Sequence, residues 1–314
     1  MRRVILGFGV LLLAAAGTAA YFLYFREPPA LAETPQFKDL GDQLPTAAEF
    51  EELARTDPVK LLSACLTRYQ REVKNGITAT LIKRERVKGE PAPPKEPADE
   101  VIQLAVKGDV PGADGKRRAH VRMIWESGAR KAIVGTVHGS ILVEEKGTNE
   151  DKITAWIGFA FSAPLNGPMA RGASRYCMKD AGLYGAMLRS HTVWKKRQDD
   201  KELHWRFVER RTVPEVGGRD CFVIERTCPS PEVDPFEIGG EPNLGGKKPE
   251  EVGSVRVRLF IDVERWMQVG SELHRADGHL LGSYYFRDIN LNPTWADDTF
   301  TTEGMKKAVA AVRK

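Results

Sequence analysis

The order of elements along the chain predicts an α+β domain built on an antiparallel sheet. Three observations predict it: two capped helices near the start, a long series of β-branched and aromatic segments joined by turns, and one further amphipathic helix between two groups of strands. The 314 residues are 42% hydrophobic and 29% charged, which is the balance of a folded globular protein. A net charge of +4 spread over mixed-sign sequence gives no clustered basic surface, and so no nucleic-acid partner is expected.

Residues 4–25 are uncharged and mainly apolar, long enough as a helix to cross the roughly 30 Å hydrocarbon core of a bilayer. Arg2 and Arg3 precede this run while Arg26 and Glu27 cancel after it, so the N-terminus is expected in the cytoplasm. The rest of the chain is then a single-pass protein's extracytoplasmic part, on the periplasmic side of the cell membrane. Thr18, Ala19 and Ala20 resemble a signal-cleavage site, but apolarity continues through Phe25, which favours an uncleaved anchor spanning residues 1–25. No cysteine stands near it to carry a lipoprotein anchor. Pro28, Pro29, Pro35 and Pro45 make residues 26–45 a semi-extended linker.

The domain proper is expected over 46–300. Thr46 and Glu49 have the spacing of a capping box, and Phe50 and Leu53 give a short apolar stripe behind it. Asp57 and Pro58 start a second helix whose Val59, Leu62, Leu66, Tyr69 and Val73 recur at steps of three and four until Asn75 and Gly76 stop it. Residues 77–87 read as a strand, yet they drift into Lys83, Arg84, Glu85 and Arg86, the pattern of a solvated end or an edge strand. After a proline-rich loop at 88–97 come strands at 101–106 and 121–125, the latter with Val121, Met123 and Trp125 on one face. Residues 132–143 are expected to form a hairpin turning at His138 and Gly139.

The middle helix is expected over 180–197, with Leu183, Met187, Leu188 and Val193 on its apolar side. Strands resume at 203–208, 221–226, 255–261, 266–274 and 280–286, and Asp277-Gly278 gives a hairpin turn between the last two. Residues 229–253, dense in Pro, Gly and Glu, read as an exposed loop insertion. Residues 301–314 form a tail that helix can continue into.

Chemistry is sparse. Residues 240–248 imitate a phosphate loop but place Gly246 where the lysine belongs and Lys248 where Ser or Thr belongs. No Gly-x-Ser-x-Gly, His-Glu-x-x-His or Ser-x-x-Lys pattern occurs. His274 and His279 flank the Asp277 turn without further ligands, so no metal and no cofactor is expected. Cys65, Cys177, Cys221 and Cys228 admit either two disulfides or four separate buried thiols.

The C-terminal half carries a recognisable series: Val216-Gly217-Gly218-Arg219 leading into Cys221-Phe222-Val223-Ile224, then Val257-Arg258-Leu259-Phe260-Ile261-Asp262, Asp277-Gly278-His279-Leu280, and a Tyr284-Tyr285-Phe286 strand running to Asn292 before Asp298-Thr299-Phe300. This series resembles the LolA/LolB-like outer-membrane lipoprotein-sorting and carrier superfamily. Leu61-Leu62, Tyr69 to Val73 and Thr80 to Arg86 resemble, more nearly, an uncharacterised family of membrane-anchored bacterial envelope proteins, a domain of unknown function. The resemblance implies a strongly curved antiparallel sheet forming a half-open barrel, with helices across its concave face. It also implies a noncatalytic role, binding lipid or lipoprotein acyl chains in an apolar cavity; the alternative is a structural or protein-interaction module of the envelope with no ligand. Strand alternation offers Met123, Trp125, Phe222, Ile224, Tyr284 and Phe286 as inward-facing candidates, either lining that cavity or packed as core. The chain is not expected to be an enzyme.

If the first 25 residues stay attached, N-terminal sequencing of protein recovered from membranes should begin at or next to Met1. A start near Tyr21 would instead make this a soluble exported protein.

Overall fold

The computed structural model describes residue 37 and residues 44–87, 97–112, 114–115, 117–129, 131–132, 135–143, 152–165, 167–237 and 247–313. The expected membrane span at 4–25, most of the linker at 26–45, most of the proline-rich loop at 88–97 and the centre of the 229–253 insertion lie outside the described residues. Among the described residues no helix is long and apolar enough to cross a membrane.

The helices α1 (Ala47–Thr56) and α2 (Pro58–Glu72) begin where their caps were expected. Thr46 accepts from the Glu49 amide at 3.3 Å while the Glu49 carboxylate accepts from the Thr46 amide at 2.7 Å; Asp57 accepts from the Lys60 amide at 3.0 Å. Strands β1 (Ile77–Glu85), β2 (Glu100–Lys107), β3 (His120–Ser127), a small β4 (Lys131–Ala132) and β5 (Gly135–Thr136) pair, then β6 (Gly139–Val143), β7 (Lys152–Trp156) and β8 (Ala160–Pro164) follow. After the short helix α3 (Pro168–Ala173) and the long α4 (Leu183–Asp199) come β9 (His204–Val213), β10 (Arg219–Glu232), the one-turn α5 (Pro249–Val252), β11 (Ser254–Asp262), β12 (Gln268–His274), β13 (Leu280–Leu291) and α6 (Thr302–Val312).

Eleven strands form one curved antiparallel sheet in the order β8-β7-β6-β3-β2-β1-β13-β12-β11-β10-β9. Its logic is two meanders sharing a centre. From β1 the chain steps outward to β8 at one edge, crosses the sheet through α3 and α4, and steps back inward from β9 to β13. The crossing must lie over a face, because no connection between opposite edges can avoid one. α2 and α4 therefore share the inner face, in one core with Leu62, Leu66, Tyr69, Leu183, Met187 and Trp194 buried. Phe50 of α1 stacks on Trp266 with ring centroids 4.2 Å apart and lies against Phe222 at 6.1 Å.

One side chain ties the sheet centre to the helices. Asn292, just past β13, accepts from the amides of Lys74 at 2.6 Å and Asn75 at 2.8 Å and donates to the Glu72 carbonyl at 2.8 Å. It thereby satisfies groups that the end of α2 leaves open. Asn292 adopts a left-handed backbone with φ 55°, a conformation that asparagine tolerates better than most residues.

Four expectations need correction. β1 is no edge: it lies between β2 and β13, and Lys83, Glu85 and Arg86 are buried, because neighbouring strands supply partners for their charges. The chain does not turn at His138-Gly139; Gly139 is the first residue of β6, paired with Ile124 and Trp156. The glycine is needed there for helix approach, since a Cβ would sit 2.8 Å from Val309 Cγ2 and 3.0 Å from Met305 Cγ. Those two residues belong to α6, which packs with Ile124 and Ile141 in a separate cluster on the outer face, so not every helix lies on the concave side. Finally, the 229–253 segment is not simply exposed: β10 continues to Glu232, and Val233 and Glu237 are buried.

Other expectations stand. The Asp277-Gly278 turn joins β12 to β13, with Gly278 at φ +82°. Of the two alternatives left open for the cysteines the structure has the second: all four are buried and none forms a disulfide, and burial pushes Cys221 up to about 12 and Cys228 up to about 11.

The contact between α2 and α4 contains a titratable group. The Ser63 hydroxyl donates to the Val59 carbonyl at 2.9 Å, which leaves its oxygen to accept from His191 Nε2 at 3.0 Å. Burial, then the Lys195 charge, depresses His191 from 6.5 to about 4. The unfolded chain therefore takes a proton below pH 6.5 that the folded chain refuses until about pH 4. Stability should be unaffected by this group above 6.5 and should fall through that window by on the order of 1–3 kcal/mol. Denaturant midpoints of wild type and His191→Gln, compared at a series of pH values, should converge as pH falls through it; parallel curves would mean that His191 is solvated.

Candidate functional site

The sheet face beneath α3 and α4 is incompletely filled. Along β1 the alternation that buries Ile77 and Ala79 continues with Leu81, Lys83 and Glu85 on the inner face. The register sets Phe286 of β13 beside Leu81 and Tyr284 beside Lys83. On the other side β2 pairs Leu104 with Met123 and Ile102 with Trp125 of β3. Leu81, Met123, Trp125, Tyr284 and Phe286, with Ile153, Ala155, Phe161 and Ala163 from β7 and β8, floor a cavity of about 150 Å³. Its cover carries Leu165, Ala170, Ala173, Tyr176, Met178 and Ala186. Much of this wall is alanine. Side chains that stop at Cβ leave room that leucine or phenylalanine would occupy, and an apolar space of this size holds a small hydrocarbon group.

One end of the cavity is polar. Lys83 Nζ lies 3.0 Å from Glu85 and 3.4 Å from Glu100, and all three side chains are buried. Trp125 Nε1 donates to Glu100 at 2.8 Å, and the Tyr284 hydroxyl donates to Glu85 at 2.7 Å. Burial, and then the negative charge of Glu85, pushes the Tyr284 phenol well above its usual range, so it stays a donor. Ser174 Oγ adds a longer contact to Glu85 at 3.3 Å. Beside it Arg175 donates to the Arg86 carbonyl at 3.1 Å and pairs with Glu237, which ties the cover to the 229–253 segment. Tyr176 packs edge-on against Tyr284 at 5.5 Å and donates to Asp234 at 2.8 Å. The Arg189 guanidinium lies 4.4 Å over the Tyr176 ring.

Of the six residues expected to face inward, Met123, Trp125, Tyr284 and Phe286 come together in the cavity wall. Phe222 and Ile224 do not. They face inward as well, but α1 and its neighbours fill the space above them: Phe222 meets Phe50 and Phe207, and Ile224 is wholly enclosed in the core. The polar residues Lys83, Glu85, Glu100, Tyr176 and Arg189 were missed. A signal for two of them existed, since Lys83 and Glu85 continue the period-two inner face of Leu81; their charge alone argued for solvent. Among the described residues no group of His, Cys, Asp and Glu could hold a metal ion. What the arrangement offers is a recess with apolar walls and a fixed set of hydrogen-bonding groups at one end.

No protein-family model and no curated protein matches the sequence. Solved structures similar to this chain include one from the Pseudomonas aeruginosa MucA/MucB complex, at 14% identity over 79% of this chain and 61% of that one, with a TM-score of 0.41. A DUF1329 family protein from Desulfovibrio piger aligns at 12% identity over 80% of this chain and 100% of that one, TM-score 0.37. A LolA superfamily protein from Nitrosomonas europaea aligns at 11% identity over 77% and 98%, TM-score 0.27. The chain spans about three-fifths of the length of the MucB-containing matches.

The buried triad makes a clear demand on stability. Lys83→Met leaves Glu85 and Glu100 without their shared cation and should cost about 3 kcal/mol or more, read as a lowered urea midpoint. Adding Glu85→Gln and Glu100→Gln to that variant should recover a large part of the loss.

Proposed function

We propose that this chain is a noncatalytic binding protein of the cell envelope that takes an acyl chain of a lipid or lipoprotein into the cavity between the inner sheet face and α3–α4. The observation that carries the reading is the cavity itself, about 150 Å³ of space whose walls are mostly apolar and whose polar groups gather at one end. Hydrocarbon placed there leaves water, and each buried methylene contributes about 0.8 kcal/mol. Residues 4–25 would hold the domain at the membrane from which such a ligand comes, with the N-terminus in the cytoplasm and the domain on the periplasmic side. The sequence resemblance to lipoprotein-sorting proteins supports the same reading. A tether changes the task from shuttling to local capture or sensing, because a fixed domain reaches only what its linker allows.

The test is a chain-length series. A fluorescent fatty acid should bind saturably, and unlabelled fatty acids should displace it about fourfold more strongly per added methylene until the cavity is full. Ala163→Trp, which fills the recess with a larger apolar side chain, and Phe286→Asp, which puts a carboxylate in its wall, should each abolish binding while circular dichroism shows a folded chain. No saturable binding by the wild type would leave the cavity a packing feature and the domain an interaction module.

A further inference from the structure

A second, smaller chamber of about 50 Å³ adjoins the acyl cavity, and the two share Tyr176, Ala186, Arg189, Ser271 and Tyr284 in their walls. Its chemistry differs. Beyond the shared Arg189 and Ser271, the second presents Gln268, Ser190 and Ser254 together with the charged side chains of Arg226, Glu232 and Asp234.

Two of these groups lack what they need. Arg189 donates to the Asp180 carbonyl at 2.7 Å and rests on the Tyr176 ring, but no carboxylate among the described residues pairs with it. The acids around it are committed elsewhere: Asp180 to Arg117 at 2.6 Å, Asp234 to the Tyr176 hydroxyl at 2.8 Å, and Glu232 to Arg226 at 2.9 Å and Arg197 at 3.4 Å. Arg189 is thus left without a direct carboxylate contact at the junction, while Asp234, held by the neutral Tyr176 phenol, keeps its negative charge on the other side of that ring. Gln268 is 2% exposed, and its Oε1 is buried without a hydrogen-bond partner. A buried acceptor with no donor is uncommon in a folded protein and asks for an explanation. The two deficits are complementary: the guanidinium calls for an anionic oxygen, and the amide oxygen calls for a hydroxyl or N–H donor.

We propose that the second chamber receives the polar head of the acyl ligand. The ligand class is a single-chain anionic amphiphile with a hydroxyl next to its charge, such as an acylated glycerol phosphate. Its anionic oxygen lies on Arg189, its hydroxyl donates to Gln268 Oε1, and its chain passes Tyr176 and Tyr284 into the first cavity. This assignment rests on the acyl-binding reading and gives it a direction and a head-group preference.

The experiment uses the full chain held in an amphipathic polymer, with the fluorescent fatty acid as reporter and three competitors of equal chain length: a lysophosphatidic acid, a monoacylglycerol and an alkyltrimethylammonium. The lysophosphatidic acid should compete at least about tenfold better than the monoacylglycerol, as loss of one charge-assisted hydrogen bond implies, and the cation should compete worst. In Arg189→Gln the lysophosphatidic acid should drop to the monoacylglycerol level while monoacylglycerol binding persists, which also shows the variant to be folded. Gln268→Leu should weaken both hydroxyl-bearing competitors relative to a plain fatty acid. Equal competition by all three heads on the wild type, with chain length still mattering, overturns the head chamber and leaves acyl binding in place. A head preference unchanged in Arg189→Gln likewise overturns it. Failure of every competitor and of the reporter removes both readings together.

Discussion

A lysine buried in the middle of a sheet can stay there only if opposite charge is brought to it. Lys83 sits on the central strand β1, and its two carboxylates come from β1 itself and from β2, while a β13 phenol holds one of them in place. Three adjacent strands are therefore fixed in register by electrostatics as well as by their ladder, since a slip of one residue would turn Lys83 to the other face. The cover is drawn into the same arrangement through Ser174, and through Arg175 it reaches Glu237. Desolvating such a cluster is costly, and packed hydrocarbon would often be at least as stable. Its presence is best understood from what it borders.

That border is the cavity. The connection from β8 to β9 has to cross the sheet, and it does so with two helices of different character. α4 buries large side chains against α2 and completes a dense core, whereas α3 and the following turn approach the sheet with alanines. The inner face is thus packed under α1 and α2 but hollow beneath α3 and beneath the side of α4 that carries Ala186, Arg189, Ser190 and Val193. Apolar walls give way to Lys83, Glu85 and Glu100 and, through Tyr284 and Tyr176, to Arg189 and the adjoining chamber with Gln268, so anything occupying the recess meets hydrocarbon and a contiguous set of polar groups.

Much of this was legible in the sequence, for physical reasons that also mark where legibility ended. Helix starts depend on local hydrogen bonds, so Thr46 with Glu49 and Asp57 with Pro58 announced them correctly. Period-two alternation assigned faces, and Met123, Trp125, Tyr284 and Phe286 do point inward. The same alternation chose Phe222 and Ile224, because it says which face a side chain takes and nothing about what lies above that face. Phe50, more than 170 residues earlier, covers Phe222. Charge was the misleading signal at Lys83 and Glu85: their partners Glu100 and Tyr284 lie on other strands, and no local window contains them. Gly139 failed similarly, since the reason for a glycine there is a helix at the far end of the chain.

The pairing of β1 with β13 also sets an order of events. Glu85 and Tyr284 are 199 residues apart, so a chain made from its N-terminus must produce nearly all of itself before the central strand gains its second neighbour. Closing so long a loop costs entropy before any contact repays it, and sheets joined this way fold slowly. Until then one long edge of β1 waits unpaired beside an apolar face, the situation in which chains join each other instead of themselves. Lys83 and Glu85 make that waiting edge a poor template, because inward-pointing charge is one of the devices by which proteins discourage wrong strand pairing. The residues that furnish the polar end of the cavity in the finished protein thus also guard the unfinished one.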